Sequence, residues 1–117
     1  MTGRLRFAPA LLQASLIFAL SARPAGDYPQ VELPGLDKAV HFGLYAPLGA
    51  ALQWALGGPA AWAAGLGAAY GVSDEVHQAF VPTREPDVFD VVADALGAAA
   101  GAFGMAAWRR RRAGRKS

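Results

Sequence analysis

The fold of this chain is decided by residues 39–73, AVHFGLYAPLGAALQWALGGPAAWAAGLGAAYGVS, which contain no Asp, Glu, Lys or Arg. A helix needs about 20 apolar residues to cross the hydrocarbon core of a bilayer. The Gly57-Gly58-Pro59 turn divides the stretch into a first segment of about 18 residues and a second that continues to Phe80 if Asp74 and Glu75 are accommodated. Two membrane-spanning helices joined by a short turn are predicted here.

Two further apolar stretches, residues 7–22 and 88–108, lie on either side of the central one. The four together predict an all-α fold: a small polytopic membrane protein, built as a four-helix transmembrane bundle that forms one domain over residues 1–117. The predicted linkers are residues 23–36, 57–59 and 81–86. For the first stretch the alternative is a cleaved signal peptide, with Arg4 and Arg6 as its basic leading region.

Composition excludes several classes of protein. Of the 117 residues, 54% are hydrophobic and 17% are charged, with 27 Ala and 14 Gly, whereas a soluble domain carries about 25% charge. These values argue against a disordered chain, a coiled coil and a nucleic-acid-binding domain. The chain has no Cys, which excludes a disulfide framework, a thiolate zinc site and a Cys nucleophile.

Charge is strongly segregated along the chain. Residues 1–26 hold three Arg and no acid, residues 27–94 hold all nine acids and only two bases, and residues 95–117 hold six bases and no acid. Bases beside membrane spans mark the cytoplasmic side, so both termini are predicted to be cytoplasmic and the number of spans to be even. The basic tail, residues 109–117, is expected to meet anionic lipid headgroups rather than nucleic acid.

Polar residues recur at helical spacing near one end of three of the predicted helices. The charge rule places this end on the outer side of the membrane. Ionisable residues within a membrane are costly and usually functional, so these side chains are predicted to converge on one outward-facing polar pocket. The candidates are Asp37, Lys38, His41 and Tyr45 on the second helix, Asp74, Glu75 and Gln78 on the third, Arg84 in the next loop, and Asp90 and Asp94 on the fourth.

Two structural alternatives accompany this prediction. The acids would be ion-paired to Lys38 and Arg84, the only bases in the acidic segment, and the whole cluster would then be a latch that closes the bundle. Asp37 and Asp87 also suit helix N-caps. The small-residue pairs Gly67-x-x-x-Gly71 and Gly97-x-x-x-Gly101 predict close helix packing in either case.

Four segments together resemble the VanZ-like membrane proteins: DKAVHFGLY (37–45), YGVSDEVHQ (70–78), PTR (82–84) and DVVADALG (90–97). The resemblance covers a core of residues 33–105, and the ordered set is more specific than any one segment. It implies several helical spans in a bacterial inner (cytoplasmic) membrane. The founding member of the family is associated with low-level resistance to the glycopeptide antibiotic teicoplanin.

Two positions depart from the pattern of these proteins. Thr83 stands where the family commonly has Gly, so the turn before Arg84 is expected to differ. Asp94 stands where many members have Asn, which adds a carboxyl group to the set.

Three functions fit these residues. The first is an envelope protein that binds a lipid headgroup, a lipid-linked cell-wall precursor or a glycopeptide-related ligand, with phosphate meeting Arg84 and Lys38 and sugar hydroxyls meeting the carboxylates. The second is a membrane-embedded enzyme that uses Asp74, Glu75 and His41 for acid–base chemistry or for a divalent metal. The third is a small proton-coupled transporter, which would have to be a homo-oligomer.

The chain has no hydrolase elbow, P-loop or H-E-x-x-H sequence. The first function is therefore favoured over catalysis, and neither a cofactor nor a resident metal is predicted.

Overall fold

Four α-helices form from the four apolar stretches. The computed structural model describes residues 3–24, 26, 28 and 33–115, and this part of the chain is all-helical with no strand. The helices are α1 (Ala8–Ser21), α2 (Leu36–Leu56), α3 (Ala60–Gln78) and α4 (Val88–Arg115), preceded by a short 3-10 helix at Gly3–Phe7. The helix α4 continues through the arginines to Arg115, so the predicted basic tail is largely helical.

The turn between α2 and α3 has the conformation that its sequence favours. Gly57 and Gly58 have φ angles of 66° and 68°, a region that glycine enters without a steric penalty. The Gln53 Nε2 donates a hydrogen bond of 2.9 Å to the Gly58 carbonyl, and Pro59 is extended before α3 begins. The two helices therefore fold back on each other as predicted.

The pair α2–α4 is packed through glycine. A Cβ atom on Gly49 would lie 2.0 Å from the Ala98 carbonyl oxygen, and one on Gly101 would lie 1.8 Å from the Ala46 carbonyl oxygen. A Cβ on Gly97 would approach another α2 carbonyl to 2.5 Å. Since these distances exclude any side chain, the backbones of α2 and α4 are in direct contact.

The helix α3 packs closely against α4 through the predicted pair Gly67 and Gly71. A Cβ on Gly67 would lie 2.5 Å from the Ala98 Cβ, and one on Gly71 would lie 2.8 Å from the Asp94 Cβ. Both predicted small-residue pairs therefore lie at helix contacts. The helices α2 and α3 both pack against α4.

The helix α1 is attached to this core by polar contacts. The Gln13 Nε2 donates a hydrogen bond of 2.8 Å to the Leu44 carbonyl, and the Tyr70 hydroxyl donates one of 2.7 Å to the Ala14 carbonyl. Ile17 is fully buried against α2. These contacts place α1 over the end of the bundle where the polar residues lie.

The interior of the bundle is built mainly of small or polar residues, and most of the large apolar side chains face outward. Tyr45, Ile17 and Asp94 are the largest fully buried side chains in the described residues. By contrast, Trp62 is 72% exposed and Phe80 is 83% exposed. A water-soluble helical bundle shows the opposite distribution, with large apolar residues in its core.

One described helix, α4, is long and apolar enough to cross a membrane by length and composition. The helix α1 has 14 residues, which is short for a span, and the polar side chains on α2 and α3 lower the mean hydropathy of those helices. The four-helix bundle is therefore observed, whereas the crossing of a membrane by all four helices stays a prediction.

Candidate functional site

A single ammonium group joins three carboxylates at one end of the bundle. Lys38 lies in the first turn of α2, and its Nζ is 2.6 Å from Asp37 Oδ2, 2.8 Å from Asp87 Oδ2 and 2.8 Å from Asp90 Oδ1. Three carboxylates use all three hydrogens that an ammonium can donate. Because Asp87 and Asp90 lie at the start of α4, Lys38 ties the ends of α2 and α4 together.

The same three carboxylates have the spacing of a cation site. One oxygen from each of Asp37, Asp87 and Asp90 lies within 4.8 Å of the others, and carboxylate oxygens are the ligands that Ca²⁺ and Mg²⁺ prefer. The ammonium of Lys38 lies among these oxygens. In this arrangement the chain supplies its own cation.

Asp87 has two further roles at the start of α4. Its Oδ1 accepts a hydrogen bond of 2.8 Å from the Phe89 amide, which is the N-cap predicted for it, and its own amide donates one of 2.5 Å to Glu75 Oε1. The Lys38 ammonium, and next the Phe89 amide, lower the pKa of the Asp87 carboxyl. Asp37 is not a cap, because the N-cap of α2 is Gly35 and Asp37 follows it within the first turn.

The imidazole of His41 lies between two carboxylates one turn further along α2. Its Nδ1 is 2.7 Å from Asp94 Oδ1, and its Nε2 is 3.5 Å from Asp90 Oδ2. Asp94 is 0% exposed, and it fits there because Gly71 has no side chain. Lys38, Asp90, His41 and Asp94 thus form a continuous charged row between α2 and α4, which we call the charged seam.

A cavity of about 1000 Å³ adjoins the charged seam between α1, α2 and α3. The wall supplied by α1 was not foreseen, although Ile17 and Ser21 are four residues apart and so share a helix face. The polar lining residues are Asp37, His41, Tyr45, Asp74, Gln78, Arg84, Ser21 and Tyr28, and the apolar and turn residues are Ile17, Leu20, Leu33, Pro34, Gly35, Leu36, Val40 and Leu44.

The predicted residues therefore fall into two adjoining groups instead of one pocket. His41 belongs to both the charged seam and the cavity lining, and Asp37 lines the cavity while it pairs with Lys38 of the seam. Lys38, Glu75, Asp90 and Asp94 do not line the cavity. The division arises because α4 packs directly on α2, and this contact encloses the acids of α4 between the two helices.

Four polar residues in the cavity lining, Ser21, Tyr45, Asp74 and Gln78, are deeply buried. The Tyr45 side chain is 1% exposed and Asp74 is 5% exposed. The Tyr45 hydroxyl has no hydrogen-bond partner within the part of the chain described, and Tyr45 and Asp74 both line the cavity. Gln78, also buried, donates through Nε2 to the Ser21 Oγ at 3.4 Å.

Arg84 does not pair with an acid among the described residues, so of the two bases expected to contact the acids, Lys38 is the one that does. The Arg84 Nε donates a hydrogen bond of 2.8 Å to the Arg23 carbonyl, and its Nη2 donates one of 2.9 Å to the Leu20 carbonyl. Its guanidinium carbon lies 5.0 Å from the centroid of the Tyr28 ring. Arg84 therefore holds the end of α1 at the mouth of the cavity.

Lys38 is paired with acids as predicted, and the acids are Asp37, Asp87 and Asp90. The reason is position along the helices: Lys38 is at the very start of α2, level with the start of α4.

Thr83 has a φ angle of 67°, which is the left-handed region that favours glycine. The turn before Arg84 thus has a backbone suited to the Gly that VanZ-like proteins commonly have there. Thr83 adopts this conformation although it carries a side chain.

The fold and the site together define a helical bundle with a charged interior and an apolar exterior. A sequence model of the VanZ/LLP1 family matches residues 5–109. This match spans all four helices, and the chain belongs to the VanZ/LLP1 family. No curated protein and no solved structure gives a significant match.

Proposed function

We propose that the protein is a four-span membrane protein of the cell envelope whose outward-facing cavity binds the polar head of an amphiphilic ligand. The ligand would be a lipid headgroup, a lipid-linked cell-wall precursor or a glycopeptide-related molecule. The observation that carries this proposal is the cavity itself, which joins apolar walls to buried polar groups inside a bundle with an apolar exterior.

The surface of the bundle supports the membrane location. Large apolar side chains are exposed along the helices, among them Leu12 on α1, Trp62 and Val76 on α3, and Leu96 and Phe103 on α4. A contiguous apolar exterior of this kind is unsuited to water and suited to lipid. Large side chains outside and small ones inside are also what close helix packing in lipid requires.

The lengths of the helices are compatible with a bilayer. At a rise of about 1.5 Å per residue, α2 is about 31 Å long and α1 about 21 Å, against a hydrocarbon core of about 30 Å. The shorter helix is accommodated by local thinning of the bilayer, with Arg4 and Arg6 reaching to the interface.

The charge distribution supports the orientation. Asp90 lies at the start of α4 and the arginines from Arg109 onward lie at its end, about 30 Å away at the helical rise. With the arginines on the cytoplasmic side, the charged seam and the cavity are on the outer side. The cavity is then open to ligands of the envelope.

The lining of the cavity suits an amphiphile better than a fully polar ligand. Its walls include Ile17, Leu20 and Leu44, whereas Asp74 and Gln78 are buried within it. A volume of about 1000 Å³ is at the upper end of ordinary ligand sites. It accommodates a headgroup together with the first part of an alkyl chain.

The test is native mass spectrometry of the protein extracted together with its own lipids. Val40→Trp fills the cavity from a half-exposed lining position, and Val76→Trp adds the same bulk on the outer face of α3. We expect a ligand of defined mass on the wild type and on Val76→Trp, and its loss from Val40→Trp. A ligand retained equally by all three proteins, or no defined ligand on the wild type, contradicts the proposal.

A further inference from the structure

We propose that the group bound in the cavity is an organic ammonium, held by the carboxylate of Asp74 and by the hydroxyl of Tyr45 in the same cavity lining. This inference rests on the proposed function, and it names the chemical class of the ligand. The ammonium would belong to an aminophospholipid or to an amine-bearing precursor or glycopeptide, and the chemistry that recognises it is the same in each case.

The charges that line the cavity leave one buried acid without a cation. Asp37 is paired with Lys38, and Arg84 donates to two backbone carbonyls. Asp74 is 5% exposed, and in the described ranges no Lys, Arg or His lies within ion-pair distance of it. A buried carboxylate is costly unless it is paired, so a ligand that supplies a cation there is favoured.

The position of Tyr45 adds directional contacts for such a ligand. Its buried hydroxyl has no hydrogen-bond partner among the described residues, and Tyr45 and Asp74 both line the cavity. An ammonium that donates to both the carboxylate and the phenolic oxygen would satisfy both groups. Gln78 offers an amide oxygen in the same lining.

Anions are disfavoured at the same site. Lys38 already donates to three carboxylates, so a phosphate would have to displace one of them. Asp74 repels an anion in the cavity, and the Nε and Nη2 groups of Arg84 in the same lining already donate to the Arg23 and Leu20 carbonyls. A zwitterionic headgroup would therefore be bound through its amine and not through its phosphate.

The inference is tested by calorimetric titration of the detergent-solubilised protein. The probes are octylammonium, octyl phosphate and octyl glucoside, which carry the same alkyl chain and differ in their polar group. Asp74→Asn removes the carboxylate with little change of shape, and Glu85→Gln removes an exposed acid outside the cavity. We expect saturable octylammonium binding by the wild type and by Glu85→Gln. In Asp74→Asn we expect the affinity to fall at least tenfold.

Tyr45→Phe serves if Asp74→Asn does not fold, because it removes only a hydroxyl that the described structure leaves without an ordinary hydrogen bond. We expect a several-fold weaker affinity for octylammonium. Equal octylammonium affinity in the wild type and in the variant that folds would overturn the inference.

The outcomes separate this inference from the proposed function. Preference for octyl phosphate or octyl glucoside leaves the amphiphile cavity standing and refutes the ammonium. Absence of saturable binding by all three probes refutes both.

The titration repeated in nanodiscs identifies the source of the amine. Competition by phosphatidylethanolamine, but not by phosphatidylglycerol, assigns the ammonium to a membrane lipid. Equal octylammonium affinity in phosphatidylethanolamine and in phosphatidylglycerol nanodiscs assigns the ammonium to a precursor or glycopeptide.

Discussion

At the scale of single residues, Lys38 has the most concentrated set of interactions in the described structure. One ammonium lies within 2.8 Å of three carboxylates on two helices. The carboxylates of Asp37, Asp87 and Asp90 are close enough to repel one another strongly when no cation lies between them. The ammonium thus permits the starts of α2 and α4 to lie side by side.

Replacement of this ammonium by a neutral side chain tests its role. We expect Lys38→Met to lower the free energy of unfolding by about 2 kcal/mol, since breaking a buried pair costs about 3–5 kcal/mol and Lys38 is one-third exposed. Millimolar Ca²⁺ should restore much of this stability, because three carboxylates then bind the ion in place of the ammonium. Thermal unfolding in detergent, with and without CaCl₂, measures both effects.

The matched control is Arg115→Met, which removes an exposed base far from the charged seam. Neither this variant nor the wild type should respond to Ca²⁺. A Lys38→Met protein as stable as the wild type, or an equal Ca²⁺ response in all three proteins, contradicts the assignment.

At the scale of elements, the contact between α2 and α4 positions the site. Gly49 of α2 and Gly97 and Gly101 of α4 bring the two backbones into contact. This proximity is what allows His41 on α2 to reach Asp94 on α4 at 2.7 Å. A wider separation of the helices would break the charged seam even with every charged residue retained.

The glycines of α4 offer a direct comparison between a packed and an open position. A Cβ on Gly101 would lie 1.8 Å from the Ala46 carbonyl oxygen, whereas a Cβ on Gly104 would meet nothing within 4 Å. We expect Gly101→Leu to destabilise the bundle by about 3 kcal/mol through overpacking. We expect Gly104→Leu to unfold at the temperature of the wild type.

Thermal unfolding and size-exclusion chromatography in detergent distinguish the two variants. Equal melting temperatures for Gly101→Leu and the wild type would mean that α2 and α4 do not pack as the structure has them.

At the scale of the whole molecule, the apolar exterior and the segregated charge together predict the topology. Four spans with both ends in the cytoplasm place residues 81–86 outside and the turn at residues 57–59 inside. The chain has no native cysteine, so single cysteines report each location without a background signal. This prediction underlies the outward orientation of the cavity.

Suitable exposed positions are Glu85, Pro59 and Ala113. With a membrane-impermeant maleimide on intact cells, we expect labelling of Glu85→Cys alone. Pro59→Cys and Ala113→Cys should react only after the membrane is permeabilised. Labelling of Ala113→Cys from outside would reverse the topology and with it the orientation of the cavity.

The sequence by itself determined the features that depend on local spacing. The helices α1, α2 and α3 begin and end within a few residues of the predicted stretches, because apolar length and the Gly57-Gly58-Pro59 turn are local signals. The helix α4 begins where predicted but continues past the predicted stretch to Arg115. The faces of α3 also follow from the helical period: Gly67, Gly71 and Asp74 are buried, whereas Trp62 is exposed. The end of the bundle that carries the acids was predictable for the same reason.

Only the tertiary structure decided which groups meet. Helical spacing places Lys38 and Arg84 near the acids, but the pairing depends on how the helices are rotated and offset against each other. The close approach of α2 and α4 assigned Lys38 to Asp87 and Asp90. Because α1 lies at this end of the bundle, its Leu20 carbonyl accepts a hydrogen bond from Arg84 and its side chains form a wall of the cavity. These contacts join residues about 50 or more positions apart, and no local pattern in a sequence encodes a distance of that kind.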